Sequence, residues 1–555
     1  MALRLGNREQ MQFLPPSIEQ YVAEDAPVRV YDTFVDALDL AELGINVDPQ
    51  KEGNPCYDPR SMLKLLIYGY SYGVRSSRKL EREIHYNLSF IWLMGGLKPD
   101  FKTIAEFRRK NKAALKMALR QCVRLCVKLD LIAGNILFVD GSKIRGNASI
   151  KNTWTEKKGR QIIEKADNRI EETLREAEAL DAMEEGEPSL VTLPTQFEEP
   201  RRTKYKVEQI LDELKQSGKK NLNTVDKECT TINSIQGTGA GYTAEVVVDD
   251  KYGLIVNADA VSVNNDLGQF SVQMEQAQEV LNKPPQVGVG DSGFGDTKDL
   301  SKVDKQGIQV IVPSQRIASE KKIGEFDKRN FGYNREGDYY LCPQGKVLRH
   351  SRLLRQDEAR EYAIEDKKTC LECGRYGICT RSKTGRKVMR LLEEDLRERL
   401  EWEYALSENQ AIYKRRKEKV ELVFGHFKRN LGVRSFLLRG VEGARAEISL
   451  LSICFNIRRM ISLLGQKGSI QSLREKLSQY VRSLTQDAFS FASNQTTRSR
   501  LKTTLPGIFS RLLSIRRRLK NSTASPFCNG GYSQNQTISA FSYVGPVNQS
   551  CSIEI

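Results

Sequence analysis

Four consecutive apolar residues, Ile136-Leu-Phe-Val139, run into an aspartate, Asp140, and then into Gly141-Ser-Lys143. A branched and aromatic run of that length, closed by a Gly-Ser turn, predicts a buried strand that delivers one carboxylate to a sheet edge. An aspartate in that position is ordinarily a turn former bonded to its own backbone. Two further carboxylates in comparable settings give it more meaning. Gln286-Val-Gly-Val-Gly-Asp291 is a second short strand ending in aspartate, followed by Ser-Gly-Phe-Gly295. Residues 413–428 then predict a helix with an apolar stripe through Tyr413, Val420, Phe424 and Phe427, and with Glu421 on an adjacent flank among lysines. A lone glutamate among lysines is ordinarily a surface ion pair.

Strand aspartate, strand aspartate, helix glutamate is the order of a site that holds two hard cations between phosphates. Magnesium prefers carboxylates and waters to nitrogen or sulfur, and two such ions can activate an attacking oxygen and stabilise a leaving one. Charge points the same way, since the chain of 555 residues carries a net charge of +16 and a pI near 9.2, the balance of a protein that meets a polyanion. No apolar run is long enough to span a bilayer, and the first residues lack the apolar core of a signal peptide, so a cytoplasmic protein is expected.

Around these carboxylates the chain predicts three parts. Residues 1–131 read as a helical domain. Asp58-Pro59 caps a helix through Met62, Leu65, Leu66 and Tyr70. After a turn at residues 73–77 comes a short basic helix with Arg78, Lys79 and Arg82, and a second unit opens at the capping-box spacing Thr103-Ile-Ala-Glu106 and carries Arg108 and Arg109. Helix, turn, basic helix is what a helix-turn-helix reader needs in a major groove; an ordinary bundle with solvated charges has the same spacing. Residues 132–464 predict an α/β core with a mixed five-stranded sheet, interrupted by two insertions. Residues 144–240 carry coiled-coil spacing at Ile163, Ala166, Ile170, Ala177 and Leu180 and a second stripe at Val207, Ile210, Leu211 and Leu214, a helical hairpin. Residues 313–405 contain Cys342, Cys370, Cys373 and Cys379, four of eleven cysteines, two of them as C-x-x-C. An odd cysteine count in a large chain argues for reduced thiols, and this cluster for a structural Zn2+. Residues 465–555 form a basic, low-complexity and partly disordered tail, with twelve Lys or Arg from Gln466 onward against three Asp or Glu.

Gly288-Val-Gly290-Asp-Ser-Gly293 also fits the G-x-G-x-x-G string of dinucleotide-binding loops, but Asp291 would face the pyrophosphate and no acidic residue closes the next strand to take a ribose. A more specific match is to another family. Phe138-Val-Asp140-Gly-Ser-Lys143, Gly290-Asp291-Ser-Gly-Phe-Gly295, and Val420-Glu421-Leu-Val-Phe-Gly425-His-Phe-Lys428 with Phe436-Leu-Leu-Arg-Gly440 resemble the DDE transposases of bacterial insertion sequences, in particular the insertion sequence 1182 group within the insertion sequence 4 and 5 assemblage. The resemblance covers roughly residues 1–462. It implies an RNase H-like core in which Asp140, Asp291 and Glu421 bind Mg2+ or Mn2+. It implies that Tyr413, Arg416 and Lys428 meet DNA, although Tyr413 and Arg416 stand one residue further from Glu421 than the family spacing. The implied activity is metal-dependent DNA strand cleavage and strand transfer. The implied partners are double-stranded DNA, as terminal inverted repeats and target, and further copies of the chain, at least a dimer on DNA, in a bacterial cytoplasm without membrane contact. A transposase-derived protein that binds DNA without cutting is the alternative.

Overall fold

The computed structural model describes residues 17–45, 56–183, 195–234, 237–319, 324–355, 358–465, 471 and 474–479. The basic tail, apart from those last few residues, lies outside them. All of the described residues belong to the first of the chain's two units, residues 1–481.

The helical part comprises α1 (Val28–Asp36), α2 (Pro59–Ser71), α3 (Ser77–Tyr86), α4 (Leu88–Leu93), α5 (Phe101–Lys110) and α6 (Lys112–Lys128). Asp58 caps α2 by accepting from the Arg60 amide, and Pro59 takes the first helical position, where no amide hydrogen is required. α2 and α3 meet closely because residue 69 is glycine: a Cβ there would stand 2.3 Å from a methyl of Leu80. α5 starts earlier than its capping-box spacing predicts. Asp100 is the cap, accepting from the Thr103 amide at 2.7 Å, so Thr103 lies inside the first turn.

β1 (Ile136–Arg145) follows, then β2 (Thr153–Trp154), α7 (Glu156–Met183), α8 (Thr195–Ser217) and β3 (Leu222–Asn223). α7 and α8 form the expected hairpin, closed at its base by the β2–β3 pair. Val207, Leu211 and Leu214 bury themselves with Leu222 in a small core of their own, and Gly159 of α7 lets Leu211 approach. The side chains of Ala177 and Leu180 lie outside the described residues.

The main sheet is completed by β4 (Thr230–Ser234), β5 (Gly237–Asp249), β6 (Ile255–Val261), β7 (Val287–Val289) and β8 (Gln309–Ile311), with α9 (Phe270–Leu281) and α10 (Thr297–Asp304) between the later strands. Its order is β4-β5-β1-β7-β8, with β6 also paired to β5. The sheet thus has six strands rather than five. The extra strand, β4, lies within the segment assigned to the helical insertion; it pairs with the first half of β5, and β6 with the second. β1 is antiparallel to β5 from Leu137↔Asp249 to Arg145↔Gly241, but parallel to β7 for only three pairs, ending at Phe138↔Val289. β1 therefore does not end at Asp140. Nine residues of ladder to β5 hold it extended through Gly141-Ser-Lys143, where the isolated sequence favours a turn.

The second insertion begins with α11 (Gln315–Ala318). β9 (Gly332–Asn334), β10 (Tyr339–Leu341), β11 (Val347–Leu354), β12 (Ala359–Ile364) and β13 (Lys387–Leu391), with α12 (Lys368–Leu371) before the last, then form a five-stranded antiparallel sheet in chain order. Phe331, Tyr340, Leu348, Tyr362 and Val388 are its separate core. α13 (Glu394–Ala405) and α14 (Ser407–Gly425) return to the main sheet, a π-helical segment (His426–Asn430) follows, and α15 (Val441–Gly465) closes the core.

α15 joins the helical part to the sheet by packing on α2, α6 and β6. Its Asn456 side chain accepts from the Ile255 amide at 2.9 Å and donates to the Ile255 carbonyl at 2.8 Å, taking the place of a neighbouring strand. Its Glu447, fully buried, accepts from Arg75 at 2.5 Å and from the Leu437 amide at 2.7 Å. Arg108 extends this network, donating to the Tyr70 hydroxyl at 2.8 Å and the Arg75 carbonyl at 2.9 Å. Removing one member of a buried ion pair leaves the other uncompensated. Glu447→Gln is therefore expected to cost about 3 to 5 kcal/mol, read as a fall in the urea midpoint, and the double change Arg75→Met with Glu447→Leu to cost less.

Candidate active site

The two aspartates come together where β1 and β7 part. β7 ends at Val289, the chain enters a 3-10 turn at Ser292–Phe294, and Asp291 caps that turn by accepting from the Gly293 amide at 2.8 Å. Asp140 lies opposite Val246 on β1, just past the last β1–β7 pair. A single guanidinium nitrogen, Nη2 of Arg416 on α14, donates to Asp140 Oδ1 and to Asp291 Oδ2, both at 3.0 Å. Burial raises the Asp140 carboxyl to about 6, the charge of Asp291 adds to this, and Arg416 opposes it. Two residues along β1, Ser142 Oγ accepts from Lys428 Nζ at 2.6 Å, and burial draws the Lys428 ammonium below its ordinary range. Tyr413, one turn before Arg416, packs edgewise on Tyr404 with ring centroids 5.1 Å apart, and burial raises its hydroxyl.

Glu421 is not part of this group. Five residues after Arg416 it lies about 140° round the helix, and its side chain is exposed. Val420, Val423 and Phe424 take the inward face instead. Among the described residues no three His, Cys, Asp or Glu side chains are arranged to hold a metal ion. The Asp140–Asp291 pair offers hard oxygens that fit Mg2+ or Mn2+; the glutamate expected to complete the set stands elsewhere.

Two carboxylates that sequence reasoning missed lie beside the pair. Glu245 on β5 is directly opposite Gly141 in register, is wholly buried, and neither of its oxygens finds a donor among the described residues. Burial, reinforced by Asp266 and Asp140, pushes its carboxyl far up. Asp266, in the loop between β6 and α9, accepts from Lys143 Nζ at 3.4 Å, and Lys143 also donates to Thr243 Oγ1 at 3.0 Å. The signal for Glu245 was present in the sequence as one charged residue inside the apolar run Tyr242-Thr-Ala-Glu-Val-Val-Val248.

The glycine string forms the end of β7 and a 3-10 turn rather than a phosphate loop. Gly288 and Gly290 make room for Met274 and Phe270 of α9, and no helix opens directly after Gly293. In the helical part, Arg78, Lys79 and Arg82 are exposed on α3, with Arg78 over the Phe101 ring. Arg109 is exposed but pairs with Glu106 at 2.7 Å. Arg108 is a correction to the predicted DNA contacts, because it is buried against Tyr70 and Arg75. Cys342, Cys370, Cys373 and Cys379 line one cavity of about 30 Å³. The Lys346 amide donates to Cys342 Sγ at 3.3 Å across a turn in which Gly345 has φ +72°. His350 on β11 of the same insertion packs edgewise on the Tyr362 ring.

Fold and site define a mixed α/β protein with two aspartates meeting where the parallel pairing of β1 and β7 ends, close to the place where open α/β sheets bind ligands. The comparisons are more particular. Residues 16–110 match the family model described as Transposase domain (DUF772), and residues 341–461 match the model described as Transposase DDE domain. Together these support a DDE transposase. The first match contains α3 and Arg108; the second contains the four cysteines, Tyr413, Arg416, Glu421 and Lys428. No curated protein gives a significant match. Among solved structures, the "Cryo-EM structure of piggyBac transposase synaptic complex with hairpin DNA (SNHP)" aligns over 91% of this chain and 87% of that one, at 9% identity and a TM-score of 0.31. Likeness that loose defines neither fold nor activity.

Asp140 supplies a stability test. The folded state holds this proton up to about pH 6, whereas the ordinary carboxyl releases it near 3.8, so the folded state binds more protons between those values and stability falls as pH rises through the window. Asp140→Asn is expected to be more stable than the parent at pH 8 by roughly 1 to 3 kcal/mol. The difference should vanish near pH 3.5, as urea midpoints at the two pH values will show.

Proposed function

We propose that the chain is a DNA transposase that binds the terminal inverted repeats of its own element, cleaves there with Mg2+ or Mn2+, and joins the freed 3′ hydroxyls to target DNA. The observation that carries this reading is the meeting of Asp140 and Asp291, from two strands, at Arg416. The two transposase-domain matches support it, and the strand order, with β5 antiparallel and β7 and β8 parallel to β1, supports an RNase H-like core.

Asp140 and Asp291 would hold the ion, whose charge activates the attacking oxygen and stabilises the leaving one. Arg416 and Lys428 put two cations beside the aspartates, suited to orienting backbone phosphates, and Tyr413 braces α14 beneath them. Arg78, Lys79 and Arg82 on α3 are the groove-reading candidates, with Arg109 beside them once it releases Glu106. In this reading residues 1–131 recognise DNA, residues 132–464 cut it, and the tail, residues 465–555, adds phosphate attraction. Among the described residues no helix is long and apolar enough to cross a membrane, and we place the protein in a bacterial cytoplasm, acting as at least a dimer on DNA.

One observation favours a transposase-derived DNA binder that does not cut: Glu421 points to solvent. In the cutting enzyme α14 turns Glu421 inward, and the π-helical segment His426–Asn430, directly after α14, is where its register can change. Asp140→Asn and Asp291→Asn are each expected to abolish Mn2+-dependent nicking of a terminal-repeat duplex while leaving duplex binding unchanged. Wild-type nicking by either variant removes that residue from the site, and no nicking by the parent chain favours the non-cutting reading.

The insertion gives a separate test. Four thiols line one small cavity without being gathered to coordinating distance, and a bound Zn2+ would draw its ligands together from the Cys342 turn and the C-x-x-C at 370–373. About one zinc per chain is expected in protein purified without chelators. Elemental analysis that finds none leaves the four as free thiols.

A further inference from the structure

Gly141 and Gly293 each follow a proposed metal-binding aspartate, by one residue and by two. Neither has a positive φ, so backbone conformation does not demand glycine at either place. Space does. A Cβ on Gly141 would stand 2.9 Å from both oxygens of Glu245 and 3.1 Å from Asp266 Oδ1. A Cβ on Gly293 would stand 2.9 Å from Asp291 Oδ1 and 3.1 Å from Asp266 Oδ2. With no side chain at either glycine, the Asp266 carboxylate lies between Gly141, which Glu245 flanks, and Gly293, which Asp291 flanks.

Glu245 is the second observation. Its carboxyl group is completely buried, has both oxygens beside the space over Gly141, and finds no donor among the described residues, a costly state unless a cation or a donor meets it. Among the described residues only Arg416 and Lys143 lie within ion-pairing distance of Asp140, Asp291, Glu245 and Asp266, and neither reaches Glu245. Four carboxylates thus share two paired cations.

We propose that Asp266, backed by Glu245, is a further carboxylate position of the cation site and binds a divalent ion together with Asp291. This rests on the reading of Asp140 and Asp291 as metal ligands and adds residues to it. Asp266 suits the role because its loop position leaves its side chain 20% exposed, free to turn toward Asp291, while Glu245 is fixed on the ladder behind it. The oxygens are not already gathered to coordinating distance, so binding draws Asp266 inward. Hard oxygen donors from several carboxylates are what Mg2+ and Mn2+ require.

The test is Mn2+ titration of the full-length chain, with free ion followed by electron paramagnetic resonance, for the parent, Asp266→Asn, Glu245→Gln, Asp140→Asn and Asp291→Asn. Asp266→Asn and Glu245→Gln are each expected to weaken Mn2+ binding at least about tenfold, a loss of about 1.4 kcal/mol. Glu245→Gln puts a neutral side chain of the same shape in place of a buried carboxyl that finds no donor, and is expected to melt no lower than the parent without metal, so its weaker binding will not reflect unfolding. Should it fail to fold, Asp266→Asn, on a partly exposed loop, decides alone. Parent-like affinity in Asp266→Asn overturns the proposal. If Asp140→Asn or Asp291→Asn loses Mn2+ while Asp266→Asn keeps it, only this inference falls; if all four bind as the parent does, the metal reading of the aspartate pair falls with it.

Discussion

β1 is hydrogen-bonded to β5 along nine residues on one side and to β7 for only three on the other, and the site depends on that inequality. Where β7 lets go, β1 continues without a strand on that side until Arg145 bridges Ser435. Asp140 enters from the strand that goes on, Asp291 from the strand that turns away.

Holding that many carboxylates together has a structural cost, which the surroundings meet unevenly. Arg416 reaches across from α14 to neutralise Asp140 and Asp291, Lys143 stands by Asp266, and Glu245 has neither. The rigidity that keeps these charges buried comes from outside the sheet. α15 lies against α2, α6 and β6, so the helical part and the sheet share one hydrophobic core, and the Glu447–Arg75 pair locks it. Each insertion buries a small core of its own, one around Leu211 and one around Tyr362, while β4 of the first and α13 of the second join the main sheet and its core.

Much of the frame was legible in the sequence. The Asp58-Pro59 cap, the stripes of α8 and α14, and the strands before Asp140 and Asp291 all follow from local periodicity and capping chemistry. Other local readings failed where a neighbour outweighed them. Gly141-Ser142 has turn chemistry, yet the ladder to β5 keeps it extended. Thr103 and Glu106 have capping-box spacing, but Asp100 is the better placed cap. Arg108 and Arg109 are adjacent basic residues on one helix; a turn of 100° buries the first under Tyr70 and leaves the second in solvent.

By itself the sequence determined which residue types stand at the ends of which elements, because caps, stripes and strand runs are set by neighbours a few positions away. That was enough to nominate Asp140 and Asp291. Only the tertiary structure decided that they share Arg416, that Gly141 faces Glu245, that Asp266 reaches between Gly141 and Gly293, and that Glu421 looks outward. Each of these depends on the register between elements distant in the chain and on the rotation of a helix about its own axis. Neither is encoded within one turn or one strand; both are settled by how the buried faces fit together.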